Sequence, residues 1–295
     1  MARLSLLTID KESPRWRSLR RSWYRFRRNP LSLMGLAIVV ITIVIAVAPE
    51  YLAPYPDHAG YYINFKEAKQ PPSMKHPFGT DEYGRDILSR VMFGFRFSMT
   101  LAVVVLSLTA PTGILLGLIA GYHEKTWIDA VIMRVADMFI AVPPLVLALS
   151  ICSILPPNIM NAMIAVSLMW WPWYTRLVYN TTVSLKNEYF VQAAEIMGAS
   201  KFHIMFREIL PNALGPILTK LTLDVGWVIL IGASLSFVGL GAQPPTPDLG
   251  TMVSEGSKYM PEYWWISIFP AIAISFIILG FNLLGDGIKD ALSGG

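Results

Sequence analysis

Residues 188–216 read EYFVQAAEIMGASKFHIMFREILPNALGP, a polar, helix-favouring stretch in a chain that is otherwise mostly apolar. Glu188 to Met197 holds few helix breakers, Gly198 permits a bend, and Ser200 is placed to cap a second helix that should stop before Pro211. Two short helices hinged at a glycine are therefore expected. In the second, Phe202, Phe206 and Ile209 recur at helical spacing while Lys201, Arg207 and Glu208 take other faces, the pattern of an amphipathic helix that fits a groove. Lipid headgroups or another protein would both accept such a helix. A membrane-surface helix usually carries a strongly basic polar face, whereas this one mixes charges.

The surroundings of this stretch set its context. Of 295 residues, 54% are hydrophobic and 15% charged, and the mean hydropathy of +0.49 is too high for one soluble core. The chain reads as an all-α, polytopic membrane protein with six spans: Leu31 to Ala48, Phe97 to Gly121, Met133 to Leu155, Ile159 to Tyr179, Ile217 to Gly241 and Tyr263 to Leu284. Ala46-Val47-Ala48 looks like a signal-peptide cleavage site and Arg27-Arg28 like a twin-arginine signal. The first apolar run is longer than the usual h-region of about 7 to 15 residues and its leader is long, so it is read as a retained span. The resulting order is a basic N-terminal segment (1–30), a first span (31–48), an outer loop with a short helix (49–96), a five-helix core (97–285) containing the loop 188–211, and a tail (286–295).

Charge orients these spans. Arg15, Arg17, Arg20, Arg21, Arg25, Arg27 and Arg28 crowd just before the first span, a placement that suits anionic lipid rather than nucleic acid. With both termini inside, 17 of the 24 Lys and Arg fall on the inner side and 7 on the outer, as the positive-inside rule requires. Residues 188–216 are then cytoplasmic. In the outer loop, Gly79-Thr80-Asp81-Glu82 offers the cap of a short interfacial helix carrying Arg85 and Arg90. His76, Asp81, Glu82 and Asp86 lack the spacing of a transition-metal site, so no metal is expected. The lone Cys152 has no intrachain partner, which excludes a disulfide within the chain.

Features inside the spans suggest where helices meet. Gly113, Gly117 and Gly121 repeat every four residues and clear one helix face for a close neighbour. Gly232, Ser236, Gly239 and Gly241 give the fifth span a similar character. Pro143-Pro144 interrupts the third span and frees carbonyls that protein or a watery cavity must satisfy, so a bend lining a pathway and a packed bend compete. Trp170, Trp171, Trp173 and Tyr174, followed by Arg176, read as an aromatic belt. Asp137 is expected to pair with Arg134. Asp224 has Lys220 four residues earlier, and pairing there competes with contact to a transported solute.

The loop also carries a specific resemblance. QAAEIMGASKFHIMFREILP resembles the EAA loop of ATP-binding-cassette importer permeases, with Ala193, Ala194, Gly198, Leu210 and Pro211 at the family's spacing. Gln192 stands where the general pattern has Glu, and Glu208 where it has Ile; both departures are similar to the peptide-permease branch. FRRNPLSLMGLAIVV, HPFGTDEYGRDILSR, GASLSFVGLGAQPPTPDLGTMV and LLGDGIKDAL, in this order along nearly the whole chain, resemble the second permease subunit of dipeptide, oligopeptide and nickel importers. The resemblance implies a type I importer permease fold in a bacterial inner membrane. It also implies a homologous permease partner, two cytoplasmic ATPases that bind ATP and Mg, and an external solute-binding protein. The coupling residues would be Gln192, Ala193, Ala194, Gly198, Ala199, Ser200, Phe202, Phe206, Leu210 and Pro211. The chain itself holds no Walker-type loop and no cofactor is expected in it, so it is read as a transport subunit rather than an enzyme. Peptide is the expected cargo, with nickel chelate or glutathione as alternatives. An ion-coupled secondary transporter, the rival from another class, should show related halves and an ionisable midplane site, neither of which is evident.

Overall fold

The computed structural model describes residues 14–293 as helices joined by turns; among these residues only an isolated bridge, Thr80 to Asp86, is extended pairing. The expected N-terminal segment 1–30 and tail 286–295 lie partly outside the described residues. The helices are α1 (Pro14–Arg28), α2 (Pro30–Val47), α3 (Pro49–Leu52), α4 (Ile87–Tyr122), α5 (Trp127–Ile140), α6 (Pro144–Ile154), α7 (Ile159–Lys186), α8 (Tyr189–Ile196), α9 (Lys201–His203), α10 (Leu210–Phe237), α11 (Leu249–Ser257) and α12 (Trp265–Ser293). A π turn, Ile204–Ile209, joins α9 to α10.

Among the described residues four helices are long and apolar enough to cross a membrane: α2, α4, the continuous helix from Lys201 to Phe237, and α12. The pair α5 and α6, bent by 86° at Pro143-Pro144, makes a fifth crossing. The fourth expected span, α7, is long enough but less apolar, and packing identifies it as a crossing. Gly113 faces Trp171 and Tyr174, Gly117 faces Thr175 and Val178, and Gly121 faces Tyr179 and Thr182. Numbers rise together along both helices, so α4 and α7 run parallel and α5–α6 must return the chain between them. Gly239 has φ of +88° and sits with Gly241 beyond α10, which ends in hydrogen bonds from Gly239 N–H to Ser236 O and from Leu240 N–H to Leu235 O. The fifth span thus stops at Phe237, four residues before the expected Gly241, because a left-handed glycine closes it.

The segment of residues 49–86 folds around one carboxylate. Asp86 caps α4 through Oδ2, which accepts from Ser89 N–H at 2.8 Å and Ser89 Oγ–H at 2.7 Å. Its Oδ1 lies 2.9 Å from His76 Nδ1, and its own N–H donates to His58 Nδ1 at 2.9 Å. The separate short helix expected to start from a cap at 79–82 is absent. Those residues form a turn, and the helix begins at Ile87 in one piece with the second span, ten residues before the expected Phe97, because the buried Asp86 is the better cap. Nor do Arg85 and Arg90 lie on an interface: both are buried, with Asp81 Oδ2 2.6 Å from Arg85 Nε and 3.5 Å from Arg90 Nε. Burial pushes the nearby Glu82 and Glu255 carboxyls above the usual range. Arg96 of α4 reaches the end of α2, donating to Ala46 O and Val47 O and pairing with Glu50, so carbonyls left without an intrahelical donor are satisfied.

Glycines also fasten the outermost span. A Cβ at Gly35 would lie 2.5 Å from Leu284 N, and one at Gly280 would collide with Ile38, so α2 and α12 touch backbone to backbone. Buried Phe26 of α1 packs at Gly287, which places α1 beside the end of α12.

The seam between α4 and α7 yields a test. A Cβ at Gly117 would sit 2.5 Å from Thr175 O, whereas one at Gly226 meets its nearest atoms at 3.5 Å. Gly117→Leu should reduce the yield of folded protein and its thermal stability, at a cost of about 1–3 kcal/mol or more because backbone must move, while Gly226→Ala leaves both near wild type. Equal behaviour of the two variants in a detergent melting assay would contradict the close contact.

Candidate functional site

The hairpin 188–211 projects from the end of the bundle opposite the 49–86 segment. Its first arm, α8, closes by a Schellman motif: Gly198 N–H donates to Glu195 O at 2.9 Å and Ala199 N–H to Ala194 O at 3.0 Å, with Gly198 at φ +80°. Ser200 Oγ then accepts from His203 N–H at 3.2 Å and starts the second arm. That arm does not stop before Pro211. Its helix runs unbroken from Lys201 to Phe237, because the wide π turn 204–209 accommodates a ring that would otherwise strike the carbonyl of Arg207. Hairpin and fifth span are one rod.

Beneath the hairpin lies a small core of its own. Val191, Ile204, Met205 and Ile209 are buried against Leu118 and Tyr122 of α4, Val178 of α7, and Ala213 and Ile217 of α10. Ala194, Ala199, Phe206 and Leu210 pack at its edge. The expected apolar stripe of Phe202, Phe206 and Ile209 is therefore divided: Ile209 and Phe206 turn toward the protein's own helices, and Phe202 turns out, 68% exposed. Ile196 and Met197 are 88% and 86% exposed at the hairpin tip, and Gln192, Ala193, Gly198, Ser200 and Pro211 are exposed with them. Tyr122 OH meets Glu195 Oε1 at 3.4 Å and Lys186 Nζ donates to Tyr122 O at 2.8 Å, contacts that single-sequence patterns do not signal.

Other sequence-marked residues converge inside the bundle. Pro144, Trp170, Trp173, Lys220, Asp224 and Trp227 line one cleft of about 320 Å³. Asp224, 4% exposed, accepts from Trp170 Nε1 at 3.0 Å and from Lys220 Nζ at 3.1 Å. Pro144 forms its edge where α5 and α6 bend, and Pro143 stands at the bend itself. Trp170 is thus not part of an interfacial belt: it is buried, since its ring nitrogen is needed at a carboxylate inside the protein. Asp137 pairs with Arg176 of α7 rather than Arg134, joining neighbouring helices instead of one helix to itself. In the segment 49–86 His76 and Asp86 bond to one another while Asp81 holds Arg85, so the four residues weighed as ligands do not converge on one point.

A bundle of crossing helices with a rod-like hairpin at one end is the architecture of an importer permease. Residues 113–294 match the family described as binding-protein-dependent transport system inner membrane component, and residues 18–72 match the N-terminal TM domain of oligopeptide transport permease C. The chain is 39% identical over 274 residues to the dipeptide transport system permease protein DppC of Alkalihalophilus pseudofirmus, covering 92% of this chain and 88% of that protein. It is 41% identical over 270 residues to the glutathione transport system permease protein GsiD of Escherichia coli, with the same coverage of both. Among solved structures it is similar in fold to the MetNI methionine ABC transporter in an inward-facing conformation, with a TM-score of 0.54 and 16% identity over 70% of this chain and 95% of that one. The chain belongs to the permease subunits of binding-protein-dependent ABC importers, in the peptide and glutathione branch. Its fold is the type I importer permease fold.

The glycine turn yields a second test. Nothing lies within 4 Å of a Cβ at Gly198, so the demand there is its positive φ rather than space. Gly198→Val should cost about 1–2 kcal/mol in the left-handed region and speed amide exchange across residues 195–203. Gly198→Asn should stay closer to wild type, because Asn tolerates that region. Equal exchange in both variants would contradict the backbone account.

Proposed function

We propose that this chain is the permease subunit of an ATP-driven peptide importer, pairing with a homologous permease and coupling to cytoplasmic ATPases through residues 188–211. The observation that carries the coupling role is the two-sided hairpin. One side is sealed to α4, α7 and α10, and the other presents Ile196, Met197 and Phe202 beyond the membrane-spanning helices. Apolar side chains held this rigidly in water favour a protein groove, and the mixed charges of Lys201, Arg207 and Glu208 favour it over lipid. The bias of basic residues supports a cytoplasmic hairpin with both termini on the same side.

In this reading a binding protein delivers solute to the outer face, and closure of an ATPase dimer that binds ATP and Mg moves the hairpin. Because the second arm is continuous with α10, that movement has a single helix, with Pro216 inside it, as its path to the cleft at Asp224. Identity to a dipeptide permease favours peptide cargo. Similar identity to a glutathione permease keeps glutathione, itself a peptide, as the second reading. Membership of this family sets aside the ion-coupled secondary transporter.

The structure redirects the choice of test residue. Ala194 was expected at the partner surface but packs inward, so Ala194→Arg would damage the hairpin's own core; Ala193 is the exposed neighbour. Ala193→Arg should lower ATPase retention and peptide uptake by about tenfold or more, since each 1.4 kcal/mol lost at an interface is one factor of ten, while the permease pair still assembles. Full ATPase retention and uptake in Ala193→Arg would contradict the docking role.

A further inference from the structure

The cleft beside Asp224 is more than an internal ion pair requires. A lone structural pair in a spanning helix is stabilised best by complete enclosure, because its charges lose hydration and repay it only through close partners. Here the carboxylate lies at the floor of an open space of about 320 Å³. Its walls are indoles: Trp170 buried and bonded to the carboxylate, Trp173 partly open, and Trp227 55% exposed. Lys220 Nζ sits 3.1 Å from Asp224 and 5.3 Å from the centre of the Tyr174 ring. A carboxylate in an aromatic-lined cleft, with the Tyr174 face beside it, is the chemistry that holds an ammonium ion, and Lys220 supplies one on a flexible tether.

We infer that the Trp170, Trp173, Trp227 and Asp224 cleft is a transit subsite for the α-ammonium group of a transported peptide, and that Lys220 occupies it between transport events as a tethered substitute. The inference rests on the proposed peptide cargo. Exchange of one ammonium for another at Asp224 leaves that carboxylate facing one cation throughout, so it is never stranded, while Lys220 carries its own charge toward the mouth of the cleft. The lysine side chain swings aside along the open cleft, the cargo amine takes its bond to Asp224, and the indoles cover the apolar part of the residue behind it. Lys220 returns when the cargo leaves. The cleft lies at the bend between α5 and α6 and on α10, which is the rod that carries the hairpin, so ATPase movement acts on this subsite directly.

The test uses the intact importer with its partner subunits in nanodiscs of phosphatidylglycerol, a lipid without an amine. The probe is alanyl-photoleucine, whose diazirine labels its surroundings on illumination, beside its N-acetyl derivative. The free-amine probe should label the segments bearing Trp173 and Trp227 about tenfold more than the acetylated one, the ratio expected when one charged contact is lost. Asp224→Asn should remove that preference. Lys220→Gln should increase labelling, because the tethered competitor is gone and the carboxylate lacks a cation; a misfolded protein would not produce a gain. Equal labelling by both probes, or reduced labelling in Lys220→Gln, would overturn the inference. So would labelling by an amine-headgroup photolipid with none by the peptide, which would assign the cleft to lipid. ATP-driven peptide uptake in the same preparation reports on the cargo reading separately: uptake without cleft labelling overturns the subsite alone, and labelling without uptake overturns the cargo reading and the transit role with it.

Discussion

The close approach of α4 and α7 along Gly113, Gly117 and Gly121 is the constraint on which the rest of the bundle depends. Three successive turns without side chains let one backbone lie against the other, with Trp171 O and Thr175 O at the positions that β-carbons would fill. In a membrane, where lipid solvates apolar side chains as well as a neighbouring helix does, such shape fit is the main source of helix association. The seam fixes the register of α7, and that register aims Trp170 at Asp224 on α10 and brings Val178 under the hairpin. Core, cleft and hairpin therefore share one alignment.

The two ends of the bundle satisfy exposed backbone and charge in different ways. At the end that carries residues 49–86, polar residues are drawn inward: Asp86 caps a helix and binds two histidines, and Asp81 holds two arginines. At the other end, apolar residues are pushed outward at Ile196, Met197 and Phe202. The first arrangement encloses its charges. The second leaves apolar side chains open beside a helix that the π turn lets continue past Pro211.

Much of this was legible in the sequence where the signal was local. Span positions followed from apolar runs, and the glycine repeat announced a flat helix face whose partner only the fold supplied. The hairpin glycine was also visible, but the end of the second arm was misjudged: a proline normally stops a helix, and a π turn leaves no periodic mark. Long-range pairings were hidden for the same kind of reason. Asp137 with Arg176 and Trp170 with Asp224 join residues 39 and 54 positions apart, beyond any helical spacing. Gly35 and Gly280 are single glycines and carry no repeat, although both mark the contact between α2 and α12, Gly35 against the backbone at Leu284 and Gly280 against the Ile38 side chain.

The central claim is that the hairpin and α10 move as one body, so that force applied at the hairpin arrives at the cleft undiminished. Spin labels at exposed Lys201 and exposed Leu230 measure this directly by pulsed electron resonance in the assembled importer, with and without trapped nucleotide. The account predicts that the distance between them stays constant within about 2 Å, the scale of small helix shifts, while distances from either label to the partner permease change. A change between Lys201 and Leu230 approaching about 5.4 Å, one helical turn, would show a joint within the rod and contradict the claim.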